Sequence, residues 1–422
     1  MFGTLKKTWF AGFAGVALAA LALAAGPVSA QEPIRIGYGI ALTGGLAANG
    51  KSALLAQQIW EQDINAKGGL LGRPVKLIYY DDQTNPATVP ALYTKLLEVD
   101  KVDLVIGGYG TNMVAPALPV IIQHKKVFIG LLALAVNSEF NYPNYFVMAP
   151  TGGVDSKSSI TEGFFQVAAA QNPKPQTIAI VAADAEFSRT ASDGARESAK
   201  KMGLNIVYDK TYPPNTTDFT PIVRAIQATN PDVVLVASYP PDSVGMIRAA
   251  SEVGLKTKLF GGGMVGLQST SIKMQLGPLL NGVVNYDFWL PVPKMQFEGV
   301  SELIKLYQSK VAVEGVDPLG YYMAPWGYAQ LQVLGQAIAA TKSLKDDVLA
   351  DYIRKTTFKT VVGDVKYGPN GEWERPRVIQ VQFHDIKTTN LDQFRTMDTM
   401  TVVAPSEYAS GKTIYPFTDA RK

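Results

Sequence analysis

The sequence offers few residues from which a catalytic centre could be assembled. It contains no cysteine and only two histidines, His124 and His384, about 260 residues apart. That excludes thiol catalysis, disulfides, thiolate zinc sites and a lipid-modified N-terminal cysteine. A His-rich metal site or a His-paired nucleophile is equally hard to build. Asp81-Asp82 could form an acid–base or metal pair. Neighbours on an extended strand point to opposite faces, so turn formation and capping ahead of Asn85-Pro86 explain them better. Lys345-Asp346-Asp347 reads as a solvated helix start. The run Gly261 to Gly266 fits GxGxxG after a strand, with Asp287 near the spacing of a ribose-binding acid. A dinucleotide site also needs a helix opening there; Gln268 to Ser271 is polar, and a glycine loop at a cleft is the better reading. There is no GxxxxGK[ST] and no GxSxG, so the parts for phosphate and α/β-hydrolase chemistry are missing.

Binding chemistry is better represented. Thr111-Asn112 follow the buried run Val102 to Ile106 and Gly107-Gly108-Tyr109-Gly110, and a helix comes next. A hydroxyl and an amide there, beside free backbone N–H groups, make an anion site or an ordinary N-cap, and the two readings are compatible. Aromatic residues at other strand ends, Phe187, Tyr239, Phe288, Trp289, Tyr321 and Tyr322, would line a cleft. The expected molecule is therefore a binding protein and not an enzyme, with no cofactor and no metal.

The elements that must position these groups are read from periodicity. At 422 residues, with 47% hydrophobic and 18% charged side chains, the chain is a globular protein of more than one lobe. Lys6-Lys7, the apolar run Trp9 to Ala25, and Gly26-Pro27-Val28-Ser29-Ala30 form a secretory signal peptide, with cleavage expected after Ala30. Loss of Lys6 and Lys7 leaves 37 of the 39 basic side chains against 36 acidic ones. Basic residues are spread along the chain, which gives no basis for a nucleic-acid partner.

From residue 34 strands and helices alternate every 25 to 30 residues or so, the cadence of βα units. The first series runs from strand Ile34 to Ile40, through helix Ser52 to Lys67, strand Val75 to Tyr80 and helix Pro86 to Val99, to helix Val114 to His124 and strand Val127 to Leu132. A second series starts after Tyr145 to Pro150. It holds a helix over Val154 to Ala170 and strands at Thr177 to Ala182, Ile206 to Tyr208, Val233 to Val236 and Leu259-Phe260. The fold expected is bilobal α/β. Ligands of open α/β sheets sit beyond the carboxyl ends of the strands, which nominates Leu42 to Asn49, Tyr109 to Met113, Leu132 to Asn137, Asp184 to Thr190, Tyr239 to Ser243 and Gly261 to Leu267.

A family resemblance rests on Ile34-Arg35-Ile36-Gly37, Thr43-Gly44-Gly45, the block Asp63 to Pro74 (DINAKGGLLGRP) and Tyr80-Asp81-Asp82, extended by Val105-Ile106-Gly107, Ile178 to Val181 and Gly254-Leu255-Lys256. With the export signal, the chain resembles the type I periplasmic substrate-binding proteins, in the subgroup that binds leucine, isoleucine and valine. The resemblance covers nearly all of residues 34 to 385. It implies two parallel-sheet lobes joined by three hinge crossings, closure on a small ligand, and delivery to an ABC permease in the inner membrane.

Lobes of 31–149 plus 283–361 and of 150–282 plus 362–387 are expected, with hinges near Ala149-Pro150, Gly282-Val283 and Val361 to Gly363. Residues 388–422 would be an extension packed on a lobe, and the protein a periplasmic monomer. Carried over residue by residue, the family's carboxylate-binding hydroxyl falls at Thr111 and its backbone-binding turn at Leu132-Ala133-Leu134. The covering aromatic falls at Phe187, the next strand's tyrosine at Tyr239 and a first-lobe aromatic at Tyr322; Asn49, Tyr109 and Asn112 join them from the strand-end loops. The family's ammonium-binding threonine and glutamate fall on Leu134 and Gly263, next to Met264, where no carboxylate stands. The expected ligand is therefore a small apolar carboxylate lacking an α-amine: an aromatic acid of benzoate or hydroxycinnamate type, or a branched 2-oxo acid. Branched-chain amino acids or small amides are the alternative ligands, and a ligand-sensing protein for a signalling partner is the alternative class.

Overall fold

A computed structural model describes residues 31–153, 155–314 and 316–421; the signal segment, its cleavage point and Val154 lie outside the described residues. No described helix is long and apolar enough to cross a membrane. The first lobe is built on β1 (Ile34–Ile40), β2 (Val75–Asp81), β3 (Leu104–Val105), β4 (Phe128–Leu131) and β5 (Tyr145–Met148). β2, β1 and β3 pair in parallel, as do β4 and β5. The two groups join where Gly107 N donates to Ile129 O (2.8 Å) and Gly110 N to Leu131 O (2.9 Å). Helices cover both faces, which is why Ile34, Ile36, Tyr38 and Ile40 are all fully buried.

The second lobe holds β6 (Thr177–Ala183), β7 (Asn205–Tyr212), β8 (Val233–Ser238), β9 (Leu259–Met264) and β10 (Val284–Asp287). A hairpin, β11 (Thr357–Thr360) and β12 (Gly363–Lys366), precedes β13 (Ile379–Phe383) and β14 (Met400–Ala404). The large sheet runs β14-β13-β10-β9-β8-β6-β7. Its core is parallel as expected, but β13 and β14 are antiparallel to their neighbours, so this sheet is mixed.

Strand pairing corrects two of the expected crossings. β10 pairs with β9 and β13, so the chain stays in the second lobe through Asp287 and does not leave at Gly282-Val283. Val361 to Gly363 form the turn of the β11–β12 hairpin, and the third crossing is the stretch 367–378 that follows it. Between these points the helix Met323–Thr341 returns to the first sheet. Gln330 fixes it there: its Nε2 donates to Gly107 O (2.9 Å) and Ile129 O (2.7 Å), and its Oε1 accepts from Gln57 Nε2 (2.9 Å). Beyond residue 388 the chain supplies β14, and Phe417 packs edge-on against Phe260 with ring centroids 5.4 Å apart.

Helix boundaries shift where local chemistry intervenes. Pro116 and Pro119 break the expected helix at 114–124 into Thr111–Val114, a 3₁₀ turn and Leu118–Gln123. The helix expected from residue 154 begins only at Glu162. Gly261 to Gly263 are not a loop but the body of β9. Gly261 has φ +133°, and a Cβ there would lie 1.9 Å from Val284 O, so only glycine lets β9 approach β10.

The first and third crossings run side by side. Gly152 bridges Trp373, and Arg377 N donates to Pro150 O (2.8 Å). Glu372 is buried between them, and loss of solvent pushes its carboxyl up to about 7, an effect the Ser156 hydroxyl only partly offsets. Below the ordinary value of 4.5 the acid is protonated in folded and unfolded chains alike. From there to about 7 the unfolded chain ionises first, so stability falls as pH rises and then levels off. Glu372→Gln should remove this slope and raise the melting temperature at pH 8, by on the order of 2–3 kcal/mol of stability. Melting curves of wild type and variant that stay parallel from pH 4.5 to 8 would show that the carboxyl titrates normally.

Candidate functional site

The carboxyl ends of both sheets face each other, and the loops beyond them enclose one cavity. Nine of the twelve expected residues line it: Tyr109, Thr111, Asn112, Leu132, Ala133, Leu134, Phe187, Tyr239 and Tyr322. The other three do not. Asn49 stands behind the wall, donating from Nδ2 to Tyr109 Oη (2.8 Å). Gly263 and Met264 are buried in β9, where Met264 N donates to Asn285 Oδ1 (2.9 Å) and Asn285 Nδ2 to Met264 O (2.8 Å). Because the strand continues through Met264, the residue that reaches the cavity is Val265.

Thr111 opens the short helix after Gly110 and is 2% exposed. Its Oγ1 accepts from Leu134 N (3.0 Å), which ties the loop after β3 to the loop after β4. The hydroxyl proton is left over. The N–H groups of Thr111, Asn112 and Ala133 also have no acceptor among the described residues. Four donors from two loops thus converge with no acceptor of their own, the arrangement that suits an anion.

The second lobe closes over them through Tyr239. Its hydroxyl donates to Asn112 Oδ1 (2.9 Å) across the lobes and accepts from Phe187 N (3.2 Å). Phe187 and Tyr239 meet edge to face, centroids 6.0 Å apart. On the opposite wall Tyr109 and Tyr322 place their hydroxyls 3.3 Å apart, and Tyr322 stacks on Phe288 at 6.0 Å. Burial pushes the Tyr109 phenol up to about 12 and those of Tyr239, Tyr286 and Tyr322 higher still, so each stays neutral and able to donate.

None of the described residues lining the cavity carries a charge at neutral pH. The carboxylates that could have reached an amine are engaged or turned elsewhere. Asp184 pairs with Arg189 (3.0 Å), and Asp242 accepts from Tyr212 Oη (3.3 Å) while burial pushes it up to about 6. Glu186 is held above its ordinary value by burial and by Glu139, and it does not line the cavity.

Sequence reasoning missed Ala149, Thr151 and Ile160 at the first crossing and Tyr286 at the end of β10, all of which line the cavity. The strand-end rule points to loops within a lobe and is silent about crossings. Phe288, Leu46 and Val265 were legible as strand-end residues, whereas Trp289 and Tyr321 pack on each other at 5.7 Å away from the cavity. In this closed arrangement only about 20 Å³ is open to the centre of a water molecule, room for little more than one. An occupant of several heavy atoms therefore enters with the lobes apart and, once bound, holds them wider than they stand here. Tyr239→Phe removes the hydroxyl that bridges them, a hydrogen bond of about 1 kcal/mol. It should shift the unliganded protein about fivefold towards open forms. Small-angle scattering with an unchanged radius of gyration would show that this bond does not hold the lobes.

The sequence matches the periplasmic binding protein family over residues 33–381. It is 26% identical to the Leu/Ile/Val-binding protein of Escherichia coli (strain K12) over 358 residues, 83% of this chain and 91% of that one. The structure is similar to a branched-chain amino acid substrate-binding protein of Streptococcus pneumoniae in complex with isoleucine, with a TM-score of 0.73, 16% identity, and 89% and 100% of the two chains covered. It is also similar to a solute-binding protein of an ABC transporter from Rhodopseudomonas palustris BisB5 in complex with 3,4-dihydroxybenzoic acid, with a TM-score of 0.68, 18% identity, and 89% and 94% covered. At these identities the two solved structures speak for the fold.

Proposed function

The chain belongs to the periplasmic binding protein family, and from that premise we propose that it captures a small apolar carboxylate without an α-amine and hands it to an ABC permease. The ligand class favoured is an aromatic acid of benzoate or hydroxycinnamate type, followed by branched 2-oxo acids. The observation that carries this reading is the charge pattern of the cavity. Four unengaged donors gather around Thr111, yet no carboxylate lines the walls to accept from an ammonium.

The consequences have a size. An ammonium buried without its acceptor costs on the order of 1–3 kcal/mol, tenfold or more in affinity. Leu132, Leu134, Ile160, Val265 and Phe288 offer apolar surface instead, worth roughly 25 cal/mol per Å² covered. Tyr322 and Phe288 stack on each other and Phe187 meets Tyr239 edge on, an aromatic lining that suits a flat ring. Related proteins have been found with isoleucine and with 3,4-dihydroxybenzoic acid, so the family accommodates both chemistries.

Uptake follows from the geometry. A carboxylate docks on Thr111 and the adjacent N–H groups in the open form. The second lobe then brings Phe187 and Tyr239 over it, and hinge closure at the three crossings is what a permease would recognise.

Thermal shift with leucine, isoleucine, valine, 2-oxo acids, benzoates and hydroxycinnamates at 1 mM tests the ligand class. A ligand of micromolar affinity adds about 4 kcal/mol at that excess. Stabilisation by aromatic or oxo acids and not by leucine is expected; leucine binding tighter than every amine-free acid would overturn the reading. Thr111→Ala should weaken the best acid at least about tenfold, a charge-assisted hydrogen bond's worth, and lower the unliganded stability by about 1–3 kcal/mol, because Leu134 N loses its acceptor. Unchanged affinity by calorimetry would remove Thr111 from the site.

A further inference from the structure

Among the residues lining the cavity, Thr151 alone carries a buried polar side-chain atom without a hydrogen-bond partner among the described residues. It is 1% exposed. Other polar side chains of the lining have at least one bond each, Thr111 with Leu134, Asn112 with Tyr239, Tyr239 with Phe187, and Tyr109 with Asn49 and Tyr322, although the Thr111 hydroxyl keeps its proton to give. Buried hydroxyls are nearly always hydrogen-bonded, so one left over in a binding cavity points to what occupies that cavity.

Its placement is specific. Thr151 sits on the first crossing, between two residues whose backbones are tied to the third. Pro150 O accepts from Arg377 N (2.8 Å), and Gly152 forms a bridge with Trp373, whose carbonyl also accepts from Gly153 N (3.1 Å). The backbone that carries the hydroxyl is thus pinned on both sides, and a β-branched side chain has little freedom at χ1. The Thr151 hydroxyl needs no cross-lobe partner, whereas the bond from the Tyr239 hydroxyl to the Asn112 amide oxygen spans the cleft.

We propose that Thr151 determines specificity by hydrogen-bonding a ligand oxygen outside the carboxylate, so that the preferred ligand is a hydroxylated or oxo-bearing acid and not a bare hydrocarbon acid. This rests on the amine-free carboxylate reading above. Thr111 and its neighbouring N–H groups take the carboxylate, the apolar walls take the ring or chain, and Thr151 takes the second polar group. A bare benzoate leaves the hydroxyl unpaired and loses affinity accordingly.

Calorimetry with benzoate and its 2-, 3- and 4-hydroxy isomers, on wild type and on Thr151→Val, Thr151→Ser and Thr111→Ala, tests this. In the wild type the best hydroxybenzoate is expected to bind about tenfold tighter than benzoate. Thr151→Val should abolish that preference with benzoate affinity little changed, Thr151→Ser should keep it, and Thr111→Ala should weaken both ligands alike. Retained preference in Thr151→Val, or an equal loss for both ligands, would overturn the role of Thr151 alone. Failure of the wild type to bind any of the four acids, with hydroxycinnamates and branched 2-oxo acids titrated beside them and equally without effect, would overturn the ligand class itself. Melting temperatures of the unliganded variants separate a folding defect from a lost contact, because misfolding cannot alter the ratio of two affinities measured on the folded fraction.

Discussion

One phenolic oxygen joins the two halves of the binding region. Tyr239 accepts from the Phe187 N–H near the start of a second-lobe helix and donates to Asn112 on the first lobe. The first bond satisfies a donor that the helix leaves over and fixes the aromatic pair that roofs the cavity. The second holds that roof against the loop bearing Thr111. Burial keeps the phenol protonated, so the contact does not depend on pH in the working range. With this oxygen in place the cavity is closed and its described lining is uncharged, conditions under which a few unengaged donors discriminate most strongly.

The lobes beneath are tied to the hinge by packed aromatic side chains. Tyr109, Tyr322, Phe288, Trp326 and Trp373 follow one another with ring centroids 5.7–6.3 Å apart, leading from the cavity wall to the third crossing. Trp373 in turn bridges Gly152 on the first crossing, next to Thr151. Packing this dense responds to an occupant by shifting as a body. The cavity wall and the first and third crossings are therefore joined by one continuous run of packed side chains.

Much of this was legible in the sequence, for identifiable reasons. β1 was read residue for residue, because Ile34, Ile36, Tyr38 and Ile40 form an apolar run bounded by polar turns. Thr111 was legible as a cavity-lining residue because it follows a buried strand and precedes a helix, and the family resemblance pointed to the same position. The glycines at 261 to 263 misled: read as a loop, they are a strand whose missing side chains let β9 lie close to β10. The return to the first lobe was placed too early because nothing local distinguishes β10 from the start of a crossing. Its assignment depends on hydrogen bonds to Gly261, Gly262 and a strand nearly a hundred residues away.

The sequence by itself determined the bilobal α/β plan, the loops that would meet at the cleft, and the absence of a carboxylate at Leu134 and Gly263. These are local or compositional properties, carried by periodicities of a few residues and by which residue types are present at all. Only the tertiary structure decided that Val265 and not Met264 faces the cavity, that β13 and β14 close the second sheet antiparallel, and that Thr151 on the first crossing has no partner among the described residues. Each of those depends on where one segment meets another far along the chain. A side chain's direction within a strand alternates residue by residue, so a strand that runs on by a few residues changes which neighbour reaches the cavity. Whether a buried hydroxyl finds a partner is likewise a property of the packed neighbourhood and not of the residue.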